Sequence, residues 1–324
     1  IVFGDWSSDV CSSDLFDVVF YDEGEHMQLC RNYYSRLADP VHRKPYLVET
    51  TGMTLQESYE AFWMAAEGVR EYNEAHGARM LVESVFPVLW HPLARAGVTL
   101  CPKLLKEDIH PVVLAQALGA ALEYNAELWF SPDFWFWDRQ PGHTPEEYER
   151  ALQMAWKAGV DNVYTEHQMV LARLSNPFCD ITPWGEVLQE HIKALPEPSA
   201  RSYTYKDYEP EVAIVRFPDS DWGQAASSYW NTLYGAENLQ STPNTREWLK
   251  VWNLLSGGAI SAQCVNYNSP VYKEWYSHFP SPSTAIFDHL VGYEPLKSAK
   301  WLFVCGEGPL SAETLRALDR KSVV

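Results

Sequence analysis

Positive charge is the first thing this chain has little of. Against 43 Asp and Glu it carries 25 Lys and Arg, a net charge of −18 over 324 residues. A protein that grips phosphates by displacing their counterions needs the opposite balance, so nucleic acid is excluded as a partner. Long apolar runs are also missing: none approaches the roughly 20 residues of a membrane-spanning helix, and no membrane partner is expected. Cysteine is sparse and unpatterned. Of six, Cys11 lies in an atypical head, and Cys30, Cys101, Cys179, Cys264 and Cys305 form an odd set without CxxC spacing. That argues against a disulfide framework or a zinc knuckle, and unpaired thiols favour a cytoplasmic over an exported protein. Cys101 and Cys305 sit in apolar runs, as small buried hydrophobes do. No GxGxxG follows a strand-like run and no HxH or HxxxH spacing occurs, so neither a dinucleotide cofactor nor a zinc ion is expected.

Aromatic side chains are abundant: 14 Trp, 18 Tyr and 13 Phe, 14% of the chain. Flat rings in such number serve a large core or form platforms on which sugar rings stack. The hydrophobic content of 46% and charged content of 21% are those of a globular protein. The length suits two domains. An acidic, aromatic-rich chain points to a neutral small molecule or a carbohydrate.

Both ends look foreign. Residues 1–15, IVFGDWSSDVCSSDL, repeat Ser-Ser-Asp at 7–9 and 12–14. They show neither helix or strand periodicity nor the apolar core of a signal peptide. The stretch resembles a translated sequencing adapter of the kind carried into metagenomic assemblies, and DRKSVV at 319–324 resembles the same adapter reversed. The expectation is a fragment of a longer protein, with both ends non-native.

Between them, strand-like and helical runs alternate. Strands are predicted over 16–21, 79–85, 98–102, 127–137 and 160–167. Helices are predicted from the capping box Thr54/Glu57, over 111–124, from Thr144-Pro145-Glu146-Glu147 to Gly159, and over 184–195. Such alternation means an α/β fold with a parallel sheet, for which closure into a (β/α)8 TIM barrel is the natural solution and an open flavodoxin-like sheet the alternative. On the barrel reading the five strands are the fourth to the eighth, over 16–199. A Pro- and Tyr-rich stretch then leads to a second unit, 200–318, with strands at 211–217 and 299–306 and helices at 245–256 and 310–318, in Rossmann-like alternation.

The segment YEPLKSAKWLFVCGEGPLSAETLRAL (293–318) resembles the glutamine-amidotransferase-like domain that follows the barrel in glycoside hydrolases of the β-galactosidase type. The order of the two units matches as well. No Gly-x-Cys-x-Gly elbow surrounds Cys264 or Cys305, so the second unit is read as structural, of the sort found at subunit contacts in homo-oligomers. The resemblance implies a catalytic Glu after the fourth strand, usually preceded by Asn, and a nucleophilic Glu after the seventh. Here Tyr21-Asp22-Glu23 stands at the first place and Ser131-Pro132-Asp133 at the second. Glu23 is thus the expected acid, with Asp22 as the other candidate, and Asp133 the expected nucleophile, with Glu166 one strand on as its substitute.

These assignments suit the chemistry. Cleaving a glycosidic bond takes one carboxyl group to protonate the leaving oxygen and another to attack or to activate water, and barrel active sites gather at strand carboxyl ends. Glu83, His26, Lys103, Trp135, Trp137 and His167 are candidates for binding the carbohydrate; His91 and His143 also lie near strand-to-helix connections. Trp129, Trp135 and Trp137 alternate along one run and would share a face, as stacking platforms or as core. Two other classes stay open. Glu23/Glu25/His26 with Glu166/His167 could hold a divalent metal in a sugar isomerase or hydrolase, and a non-catalytic carbohydrate-binding barrel would show the same aromatics. The leading expectation needs no cofactor and no metal.

Overall fold

A computed structural model describes residues 17–29, 46–85, 88–104, 112–134, 143–166, 168–175, 178–195, 201–218, 233–255 and 283–320. The expectations placed on Trp135, Trp137 and His167, and on the side chain of His26, lie outside the described residues.

Five strands, β1 (Val18–Asp22), β2 (Arg79–Ser84), β3 (Thr99–Leu104), β4 (Trp129–Pro132) and β5 (Asn162–Val163), pair in parallel and in chain order. Parallel neighbours need long crossovers, and helices supply them. α1 (Gly24–Leu29) and α2 (Leu55–Ala75) join β1 to β2, α3 (Trp90–Arg95) joins β2 to β3, α4 (Val112–Tyr124) β3 to β4, and α5 (Pro145–Ala158) β4 to β5. The strand order never turns back, whereas a flavodoxin-like sheet reverses at a switch point. The fold is mixed α/β, built on this parallel sheet.

Local chemistry sets the boundaries. Thr54 and Thr144 each close a capping box with the glutamate three residues on, and Gly159 ends α5 in the left-handed region at φ 78°. β4 and β5 are much shorter than predicted, yet their ladders run on. Asp133 N donates to Leu104 O (2.8 Å), and Tyr164 N and Glu166 N donate to Phe130 O (3.1 Å) and Pro132 O (3.2 Å).

After β5 come an antiparallel hairpin, β6 (Ala172–Ser175) and β7 (Phe178–Ile181), and α6 (Pro183–Ala194). A second parallel sheet follows from β8 (Val212–Arg216), β9 (Thr284–Asp288) and β10 (Trp301–Cys305), in the order β10-β8-β9, with helices α7 (Glu247–Leu255), α8 (Tyr293–Leu296) and α9 (Ala312–Asp319). β9 was not predicted. TAIFD is a five-residue run without alternation, because every residue of it is buried. α4 packs on both β3 and β9 and so links the two sheets. Its first ten residues, Val112–Ala121, are all buried, which explains a sequence apolar on every side. The described cysteines, Cys101, Cys179 and Cys305, are unbridged, the first and last of them buried. Among the described residues no helix is long and apolar enough to cross a membrane.

Candidate functional site

The register of the sheet brings side chains from its strands and from the residues just past them to one point. Side chains two apart share a face, which places Phe20 and Asp22 of β1, Glu83 of β2, Cys101 and Lys103 of β3, and Trp129 of β4 on the same side. β1 pairs Asp22 with Glu83, β2 pairs Glu83 with Cys101, and Lys103 pairs with Ser131, one step nearer the carboxyl ends.

At those ends Lys103 Nζ is surrounded by carboxyl groups. It lies 2.7 Å from Asp22 Oδ1, 3.0 Å from Glu23 Oε1, 3.6 Å from Glu83 Oε1, 3.3 Å from Asp133 Oδ2 and 2.6 Å from Glu166 Oε2. The expected acids Glu23 and Asp22, the expected nucleophile Asp133 and its substitute Glu166 are therefore gathered at one centre. Lys103 and Asp133 are fully buried, Glu83 nearly so, and the Asp22 side chain is 52% exposed, so the cluster opens to solvent at Asp22. Glu23 sits at φ 45°, in the left-handed region, where its N–H donates to Glu83 O at 2.9 Å. A non-glycine residue there is strained, and such strain collects at functional sites.

One ammonium cannot neutralise five carboxylates, and the excess is met with protons. Burial, outweighing the attraction of Lys103, raises Glu83 well above the ordinary glutamate value, with Asp22, Glu166 and Asp133 adding to it. Glu166 is pushed up to about 7, again by burial first, against Lys103 and with Asp133 repelling its charge. Burial works against the charge of Lys103, but Glu83, Glu23, Asp22 and Asp133 outweigh it and hold the ammonium well above the usual lysine value. Lys103 is thus a permanent cation, and it is spent on carboxylates of the chain itself.

Other expected groups stand elsewhere. Glu25 is buried and turned to the end of β2, accepting from Ser84 Oγ (2.5 Å) and Val85 N (2.9 Å). His91 lies in α3 and faces the second sheet: its Nε2 meets Ile286 O at 3.0 Å and its Nδ1 meets Arg216 at 3.1 Å. His143 is buried beside Glu147 (3.4 Å), and its carbonyl accepts from Trp184 (3.2 Å). Trp129 packs edge-on against Phe20, with centroids 5.8 Å apart, and Phe20 in turn meets Tyr164 at 5.2 Å. Asp22, Glu83 and Glu166 each bring one oxygen within 4.8 Å of the others, a span that could enclose a cation.

No protein-family model, no curated protein and no solved structure matches this chain.

Proposed function

We propose that the chain belongs to a glycoside hydrolase acting on O-glycosidic bonds, of the β-galactosidase-like type. On this reading 16–199 is the C-terminal part of a (β/α)8 barrel, and 200–318 is an amidotransferase-like structural unit. The observation that carries the reading is the convergence of Glu23, Asp133 and Glu166, from the ends of β1, β4 and β5, around Lys103 Nζ. Five parallel strands in chain order with acids at their carboxyl ends are what a barrel active site requires.

The resemblance to β-galactosidase-type hydrolases favours retention. Glu23 Oε1 and Asp133 Oδ2 lie 3.0 and 3.3 Å from one nitrogen, so their separation cannot exceed the sum of the two. A retaining pair needs its carboxyl groups roughly 5–5.5 Å apart and an inverting pair roughly 6.5–9.5 Å. Glu23 gives its proton to the leaving oxygen as the glycosidic bond breaks, and Asp133 attacks the anomeric carbon. Water then hydrolyses the glycosyl ester, with Glu23 taking back a proton. Glu166 is the second candidate for the acid, because its proton is held to about 7 and a general acid works best with a pKa near the operating pH.

Aryl glycosides of several sugars, given to a chain that carries the whole barrel, test this. Glu23→Gln should lower turnover by roughly 10²–10⁴-fold, the usual worth of general acid–base catalysis, and by less where the leaving group needs no proton. If Glu166→Gln shows that leaving-group pattern and Glu23→Gln does not, the acid is Glu166. No turnover of any glycoside by a chain that carries the whole barrel would remove the reading.

A further inference from the structure

The carboxylates at the strand ends stand as the ligands of a hard cation stand, and the place they surround already holds a cation that the chain supplies. Oxygens of Asp22, Glu83 and Glu166 lie within 4.8 Å of one another. Opposite ligands of a calcium-sized ion, each at roughly 2.3–2.6 Å from it, are about that far apart. Lys103 Nζ occupies the middle, 2.7 Å from Asp22 and 2.6 Å from Glu166. Its side chain is fully buried, in a setting where an unpaired charge would be costly.

We propose that Lys103 is a tethered replacement for a divalent cation, a positioning residue that holds the carboxylates of neighbouring strand ends at metal-like spacing. The lysine fills the place imperfectly. An ammonium has three donors and faces five carboxyl groups, and Glu83 Oε2, buried, accepts no hydrogen bond among the described residues. The inference concerns how the carboxylates are held and stands apart from the glycosidase reading, because its readout is ion binding and folding rather than turnover.

The test compares the unaltered protein with Lys103→Met, in chelator and with added Mn²⁺, by calorimetric titration and thermal melting. The unaltered protein should bind no Mn²⁺ below millimolar concentration and melt at the same temperature in both buffers. Lys103→Met, with its carboxylates left facing one another, should melt roughly 10 °C lower in chelator. It should recover most of that with Mn²⁺ at one ion per chain, and adding Asp22→Asn should abolish the recovery. Equal Mn²⁺ binding by the unaltered protein would overturn the proposal, and so would a folded Lys103→Met protein that ignores the ion. Should Lys103→Met not fold in either buffer, Lys103→Met/Glu23→Gln removes one charge of each sign and keeps Asp22, Glu83 and Glu166. That protein must bind Mn²⁺ where the unaltered chain does not, and failure to do so would also overturn the proposal.

Discussion

Glu166 shows at the scale of one residue how the cluster writes its charge into the stability of the whole. Its carboxyl group is raised from 4.5 to about 7, first by burial and then, against the pull of Lys103, by Asp133 and Asp22. Above pH 4.5 an unfolded chain has released this proton while the folded chain keeps it. Stability therefore falls as pH rises from about 4.5 to about 7 and levels off beyond. Glu166→Gln should flatten that fall, by at most about 1.4 kcal/mol per pH unit, the limit for one proton. Urea midpoints between pH 4.5 and 8 measure it, and an unchanged slope would show that Glu166 holds no such proton. The sequence put Glu166, Glu23 and Asp133 on the page because each follows an apolar run at a polar turn. It could not show that Lys103 stands among them. A lone lysine at the end of TLCPKLL reads as a side chain at the mouth of a site, and only the register of β3 against β2 and β4 turns it inward.

Among the elements, α4 is the one whose place decides the architecture. Gly119 faces β9 so closely that a methyl group there would lie 1.8 Å from Ile286 O. In an exposed helix interior, Gly→Ala stabilises by about 1 kcal/mol. Here the sign should reverse. Gly119→Ala must push α4 off β9 or bend it, and overpacking of a well-filled contact costs about 1–3 kcal/mol or more; a lowered urea midpoint is the expected outcome. An unchanged or raised midpoint would mean that the helix and strand part easily. The helices with capping boxes were legible from their sequences, because Thr54/Glu57 and Thr144/Glu147 act within one turn. β9 was not legible, because nothing local distinguishes five buried residues in a strand from five in a buried helix. What makes TAIFD a strand is the pairing with β8 along its full length, a contact between segments some 70 residues apart.

At the scale of the whole molecule the two sheets are joined by a buried polar network rather than by apolar contact alone. Arg216, at the end of β8, donates to Val88 O (2.8 Å) and to His91 Nδ1 (3.1 Å). A guanidinium only donates, so His91 is neutral with its hydrogen on Nε2, directed at Ile286 O (3.0 Å). Burial first, and then the charge of Arg216, keep its pKa down to about 3. At the end of β9, Asp288 Oδ2 accepts from Tyr59 and Tyr124, each at 2.9 Å, and Glu123 Oε2 of α4 accepts from Asp288 N at 3.1 Å. Burial opposes the charge on Asp288, but His91, Glu123 and His289 with the Leu290 N–H outweigh it and hold its pKa at about 2. The same burial, with the charge of Asp288, raises Glu123 well above its ordinary value. The pair therefore holds one proton, and it resides on Glu123. Asp288 contributes stability above its ordinary 3.8, which is lost as pH falls toward 2. Glu123 works the other way, its contribution being lost as pH rises above 4.5. Glu123→Gln keeps a hydrogen-bond donor without a proton to lose. It should leave stability near pH 5 almost unchanged and raise it progressively toward pH 9. Asp288→Asn takes the charged acceptor from the buried Tyr59 and the part-buried Tyr124 and should cost about 1–3 kcal/mol at neutral pH. Urea unfolding of both variants across pH 5 to 9 decides the matter. If Glu123→Gln costs as much at pH 5 as Asp288→Asn does, the proton is not on Glu123, and the two sheets are held by a charge on α4 instead.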